Sequence, residues 1–126
     1  IWQSLLQDGV PLALGSDAPV ENENPWWGLY TAVSRQDTNA HPEGGWHGHE
    51  CLTSQQALDG FTRGAAFASG DEDLGYIGVG VHADLTIVDQ NPLSIAPANL
   101  PNTQTMQTWV RGKCVYNTHE SQVVSE

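Results

Sequence analysis

Positive charge is scarce in this chain. Its 126 residues hold 4 Lys and Arg against 15 Asp and Glu, for a formal net charge of −11. Arg35, Arg63, Arg111 and Lys113 lie far apart along the sequence, apart from the last two, so no basic patch can be assembled. Nucleic acid and anionic membrane are therefore excluded as expected partners, because both need clustered Lys and Arg to displace counterions. Cysteine is equally sparse. Cys51 and Cys114 are too few for a disulfide framework and have no C-x-x-C spacing for zinc or redox chemistry. Cys114 falls in an alternating apolar stretch and reads as a small buried residue, with a Cys51–Cys114 bridge as the alternative. No apolar run approaches the roughly 18 residues of a membrane-spanning helix, and no secretory leader pattern is visible. The compartment stays open. The sequence opens on Ile1 rather than Met and reads as a piece of something longer.

What remains is an acidic chain with 39% apolar residues, above the level of a disordered segment, and a length that suits one domain. Trp2, Leu5 and Leu6 share one face at helical spacing, and Gly9 stops that helix. Val10-Pro11-Leu12-Ala13-Leu14 is apolar at every position, the pattern of a strand covered on both faces, as in a parallel sheet flanked by helices. It runs into the turn signal Gly15-Ser16-Asp17-Ala18-Pro19. Asn24-Pro25 is an N-cap followed by proline at the first helical position, and Trp26, Leu29, Tyr30 and Val33 form the stripe of a helix ending near Arg35. A polar loop spans Gln36 to Glu50.

Thr53 and Gln56 make a capping box that opens a helix to about Ser69, with Leu58, Phe61, Ala65 and Ala68 on its apolar face. Gly60 and Gly64 each cost roughly 1 kcal/mol in such a helix, so their spacing predicts another element packed close against them. Past Gly70 the texture changes. Leu85–Val88 reads as a strand, a Pro/Asn-rich connector runs from Pro92 to about Thr103, and Met106–Val110 with Lys113–Tyr116 predicts a hairpin around Arg111-Gly112. One buried strand with three helices cannot make a parallel sheet, so the first part reads as having lost its partners.

Asp17 is the first candidate functional residue. It sits at the C-terminal end of the run that reads as doubly buried, where α/β folds carry catalytic groups. The plainer reading is an Asp that closes an Asx-turn or caps a helix. Ser16 lacks the G-x-S-x-G surroundings of an activated serine. His47-Gly48-His49 has the i, i+2 spacing by which two imidazoles on a strand can share a metal, but a polar loop with Gly44-Gly45 leaves a solvated pair as the alternative. His41, His82 and His119 stand alone. Trp26, Trp27 and Trp46 flank the loops near Asp17 and are candidates for an apolar substrate pocket, with core packing as the common alternative for Trp26.

The order of these pieces is similar to a known family. "LALGSDAPVENENPWWGLYTAVSRQD", "LTSQQALDGFTRGAAFAS", "EDLGYIGVGVHADLTIVDQNPL" and "TWVRGKCVY" resemble the C-terminal end of the amidohydrolase superfamily, in the branch of metal-dependent amidohydrolase family 3. The resemblance implies an α/β architecture: residues 1–72 as the last β/α units of a (β/α)₈ barrel, residues 73–117 as the C-terminal share of a small composite β-sandwich, and residues 118–126 as a polar tail. It implies that Val10–Leu14 is the eighth barrel strand and Asp17 its terminal aspartate, a metal-proximal general acid/base. It further implies a divalent metal, with zinc expected, held mainly by ligands upstream of this chain. The remaining implications are a small-molecule substrate with an amide-type carbon–nitrogen bond and a barrel segment of the same protein as partner. Homo-oligomerisation is left open. This part alone is expected to be inactive. The competing reading is a non-catalytic module, stand-alone or interacting, derived from the same fold.

Overall fold

The computed structural model describes residues 1–119. Most of the polar tail assigned to 118–126 therefore lies outside the described residues. The chain forms a helical part, residues 2–69, and an antiparallel sheet, residues 85–117, joined by a segment of turns and bends over residues 70–84.

Helix α1 (Trp2–Gln7) is followed by α2 (Pro25–Ser34), whose start follows from local chemistry. The Asn24 side chain accepts from the Trp26 amide at 3.0 Å, and Pro25 occupies the first helical position, where its missing N–H costs nothing. Helix α3 (Ser54–Asp59) opens on the expected capping box: Thr53 Oγ1 accepts from the Gln56 amide at 3.2 Å and Gln56 Oε1 accepts from the Thr53 amide at 2.8 Å. The helical path continues through a π turn (Gly60–Gly64) into α4 (Ala65–Ser69) and stops at Gly70, which is left-handed at φ 79°. Within the π turn, the Thr62 hydroxyl donates to the Leu58 carbonyl at 2.8 Å, a side-chain intrusion of the kind that loosens a helical ladder.

That π turn overturns part of the expected helix face. An inserted residue rotates everything after it, so Ala66 is buried while Phe67 and Ala68 face outward; ahead of the turn the buried alanine is Ala57. The close approach predicted from Gly60 and Gly64 is present. A Cβ on Gly60 would lie 2.8 Å from the Leu14 side chain, and one on Gly64 would overlap the Leu12 carbonyl oxygen.

Val10–Leu14 forms no strand among the described residues. It pairs into no sheet; its tie to the π turn is a bond from the Leu14 amide to the Gly60 carbonyl at 3.0 Å. Leu12 and Leu14 are half-buried against the helix, whereas Pro11 and Ala13 are exposed. The segment is covered on one face only, and it forms no ladder because residues 1–119 bring no neighbouring strand alongside.

The core joins Trp26, Leu29, Tyr30 and Ala32 of α2 to Leu52, Ala57 and Leu100. Leu100 comes from a 3-10 turn (Pro97–Asn102) inside the connector, which packs against α2. The sheet runs β1 (Leu85–Val88), β2 (Thr105–Val110), β3 (Lys113–Asn117) in that spatial order, antiparallel throughout. Arg111 at φ 49° and Gly112 at φ 75° give the hairpin the left-handed turn that suits two-residue connections. The Asp84 carboxylate accepts from the Arg111 amide at 2.6 Å, and the Ala83 carbonyl accepts from the Gly112 amide at 3.0 Å. Residues just before β1 thus fix the far turn. No side chain of the sheet is fully buried, and Ile87 and Val115 are exposed. Cys51 and Cys114 are unbridged and half-buried.

Candidate functional site

A cleft of about 920 Å³ opens between the end of the extended segment, the start of α2 and the loop that follows α2. Its floor is aromatic. Gly28 lets Phe61 approach α2, since a Cβ there would lie 2.5 Å from the Phe61 ring, and both residues line the cleft. Trp27 lies to one side, its ring edge-to-face with Tyr30 at 6.0 Å, while Trp2 and Trp46 supply further wall. Trp26 has the opposite orientation and is buried in the core. An apolar wall interrupted by a few polar groups is the general form of a small-molecule site.

Gly15 and Ser16 line this cleft, and Asp17 follows immediately but is not part of the wall. Asp17 is left-handed at φ 50° and exposed, and its carbonyl accepts from the Val20 amide at 2.9 Å. A non-glycine residue at positive φ is uncommon and is found most often for Asn and Asp. Asp37 also borders the cleft. Backbone amides hold its carboxyl below the ordinary carboxylate range, first that of His41 at 3.0 Å and then that of Asn39 at 2.8 Å.

The two loop histidines meet each other, with His47 also against the Trp46 ring at 4.9 Å and His49 Nε2 3.8 Å from the Glu50 carboxylate. His47 and His49 rings stand 5.8 Å apart and nearly perpendicular, both exposed. Among the described residues no group of three His, Cys, Asp or Glu side chains is placed to hold a metal, around this pair or around Asp17. This part of the chain does not fit a metal by itself.

Glu50 is a residue that the sequence pattern does not flag. It is 3% exposed and accepts from the Ser4 hydroxyl and from the Ser4 amide at 3.0 Å. These bonds, the hydroxyl first, hold its carboxyl below the ordinary range. A folded-state pKa below the unfolded value contributes stability that is present above the unfolded pKa, about 4.3, and lost as pH falls through the folded one. Acidification below about pH 4 is expected to lower the denaturation midpoint, and Glu50→Gln to flatten that limb of the curve. Parallel acid limbs for the two proteins would rule the contribution out.

The sequence profile of the amidohydrolase family matches residues 1–116. The N-substituted formamide deformylase of Arthrobacter pascens is 32% identical over 115 residues, which cover 90% of this chain and 21% of that protein. An uncharacterized metal-dependent hydrolase from Pyrococcus horikoshii OT3 superposes with a TM-score of 0.67 at 26% identity, over 76% of this chain and 20% of that one. The atrazine chlorohydrolase of Arthrobacter aurescens TC1, solved with zinc, gives a TM-score of 0.67 at 21% identity over 98% of this chain and 29% of that one, a likeness of fold. The chain spans about a fifth of the length of the curated relatives it matches.

Proposed function

We propose that this chain, which belongs to the amidohydrolase family, is the C-terminal part of a metal-dependent hydrolase acting on carbon–nitrogen bonds other than peptide bonds. The observation that carries this is the family match over residues 1–116, within which the Gly15-Ser16-Asp17 turn falls beside an aromatic cleft. Residues 1–72 are the last β/α units of a barrel, and residues 73–117 are the C-terminal share of a composite β-sandwich. Two features support that division. Val10–Leu14 leaves one face uncovered and joins no strand ladder among the described residues, and the three-stranded sheet buries no side chain completely.

Asp17 is the general acid/base. A carboxylate there accepts a proton from the attacking water and delivers it to the leaving nitrogen. Trp27 and Trp46 flank the substrate's apolar part, while Trp26 packs the core beneath them. A divalent metal, zinc by analogy with the zinc-bound neighbour, requires donors besides Asp17 that residues 1–119 do not assemble. The 126 residues alone are accordingly inactive.

The test is hydrolysis by the complete protein that carries this chain. Amine release from N-substituted formamides and simple amides, lost on chelation and regained with zinc, is the expected result. No release from any of them at full metal occupancy would favour the non-catalytic module. The lack of a three-donor cluster among the described residues is the observation on that side.

A further inference from the structure

Arg35 joins three elements that line the cleft. Its own amide closes α2 by donating to the Thr31 carbonyl at 2.8 Å, and its backbone then turns left-handed at φ 53°. Its carbonyl accepts from the Trp46 amide at 2.9 Å, and its Nε donates to the Trp46 carbonyl at 2.6 Å. The guanidinium carbon lies 4.8 Å from the centre of the Trp2 ring and 5.9 Å from that of Trp46. The loop returns tightly against the helix end, where a Cβ on Gly45 would overlap the Ser34 carbonyl. One side chain therefore closes a ten-residue excursion and touches two indoles that lie far apart in sequence, one in α1 and one in the loop after α2.

Trp46 is 65% exposed, so burial alone does not fix its ring. Contact with a cation and a charge-assisted bond to its own carbonyl restrict it instead. We infer that Arg35 is a positioning residue that holds Trp2 and Trp46 as the apolar wall of the cleft, selecting substrates with a flat, uncharged aromatic substituent over short aliphatic ones. This rests on reading the cleft as the substrate site. Arg35 also lines the cleft, and its charge is assigned to the two indoles it faces rather than to the substrate.

Formanilide and N-methylformamide test the inference on the complete, metal-loaded protein. In Arg35→Gln, KM for formanilide should rise about tenfold, KM for N-methylformamide less than about twofold, and kcat for either less than about threefold, with part of the loss regained in Arg35→Lys. Acrylamide quenching of tryptophan fluorescence should increase in Arg35→Gln. If that variant fails to fold, Trp46→Leu with Arg35 intact should show the same split between the two substrates. Equal changes for both amides, no change for either, or a loss confined to an amide bearing a carboxylate would overturn the inference. Should the wild-type protein hydrolyse neither amide, the hydrolase reading fails and the inference is judged separately by formanilide binding. Tighter fluorescence-detected binding to wild type than to Arg35→Gln would then support it, and equal binding would refute it.

Discussion

Asp17→Asn in the complete protein is expected to lower kcat by about 10²- to 10⁴-fold, the range lost with a positioned acid/base. The substitution is structurally quiet for a reason visible in the backbone. Asp17 sits at φ 50°, and Asn enters that left-handed region about as readily as Asp. The carbonyl that accepts from the Val20 amide at 2.9 Å is untouched. What changes is the chemistry of one group, because a carboxamide keeps an acceptor oxygen but loses the charge and the capacity to take a proton. Metal content should therefore fall only partly while turnover falls far more. If Asp17 serves only to close the turn, Asn closes it equally well and neither quantity moves. Measuring kcat and metal per chain on one preparation separates these outcomes, and near wild-type turnover at full occupancy would remove Asp17 from the mechanism.

The elements legible in the sequence are those whose cause is local. Asn24-Pro25 and Thr53 with Gln56 fix their helix starts through groups two or three residues away, and the structure shows both. Arg111-Gly112 likewise specifies its own turn. The glycine pair at 60 and 64 was informative in another way, since glycine tolerated inside a helix implies a neighbour too close for a side chain. Elements whose cause is distant stayed hidden. Val10–Leu14 has a strand's composition, but composition does not supply the ladder partner. The π turn shifts the inner face of the last helical stretch, which a uniform 3.6-residue period cannot anticipate. Leu100 lies in a connector whose Pro and Asn content marks a surface loop, yet it is fully buried against α2.

The site divides along the same line. A polar turn after an apolar run marks Asp17, and tryptophans near it mark a cleft. Sequence does not tell that Ser16 is in the wall while Asp17 is just outside it, or that Trp26 and Trp27, adjacent in sequence, face core and cleft respectively. Successive helix positions differ by about 100°, so neighbours commonly face different surroundings. Glu50 and Arg35 depend on partners 46 and 11 residues away, and no local pattern announces either contact.

Gly64→Ala is expected to destabilise the protein by about 1–3 kcal/mol, although alanine is the better helix former by about 1 kcal/mol. Gly64 has ordinary helical angles, φ −65° and ψ −42°, so backbone strain plays no part. The cost comes from what a methyl group would meet: the Leu12 carbonyl, with Ala13 Cα at 3.4 Å, both main-chain atoms that cannot rotate aside. Gly60→Ala should cost less, because its Cβ meets the Leu14 side chain, which can move. Gly48→Ala, with open space around its Cβ and no positive φ, should be nearly neutral. Thermal melts should therefore rank the losses Gly64, then Gly60, then Gly48. The effect also reaches the site, since Leu12–Leu14 leads directly into Gly15-Ser16-Asp17, and lifting it off the helix displaces the turn. A Gly64→Ala protein should accordingly lose turnover while keeping Asp17 intact. A melting temperature at or above wild type would mean that the extended segment does not sit against the helix, and the placement of Asp17 would fall with it.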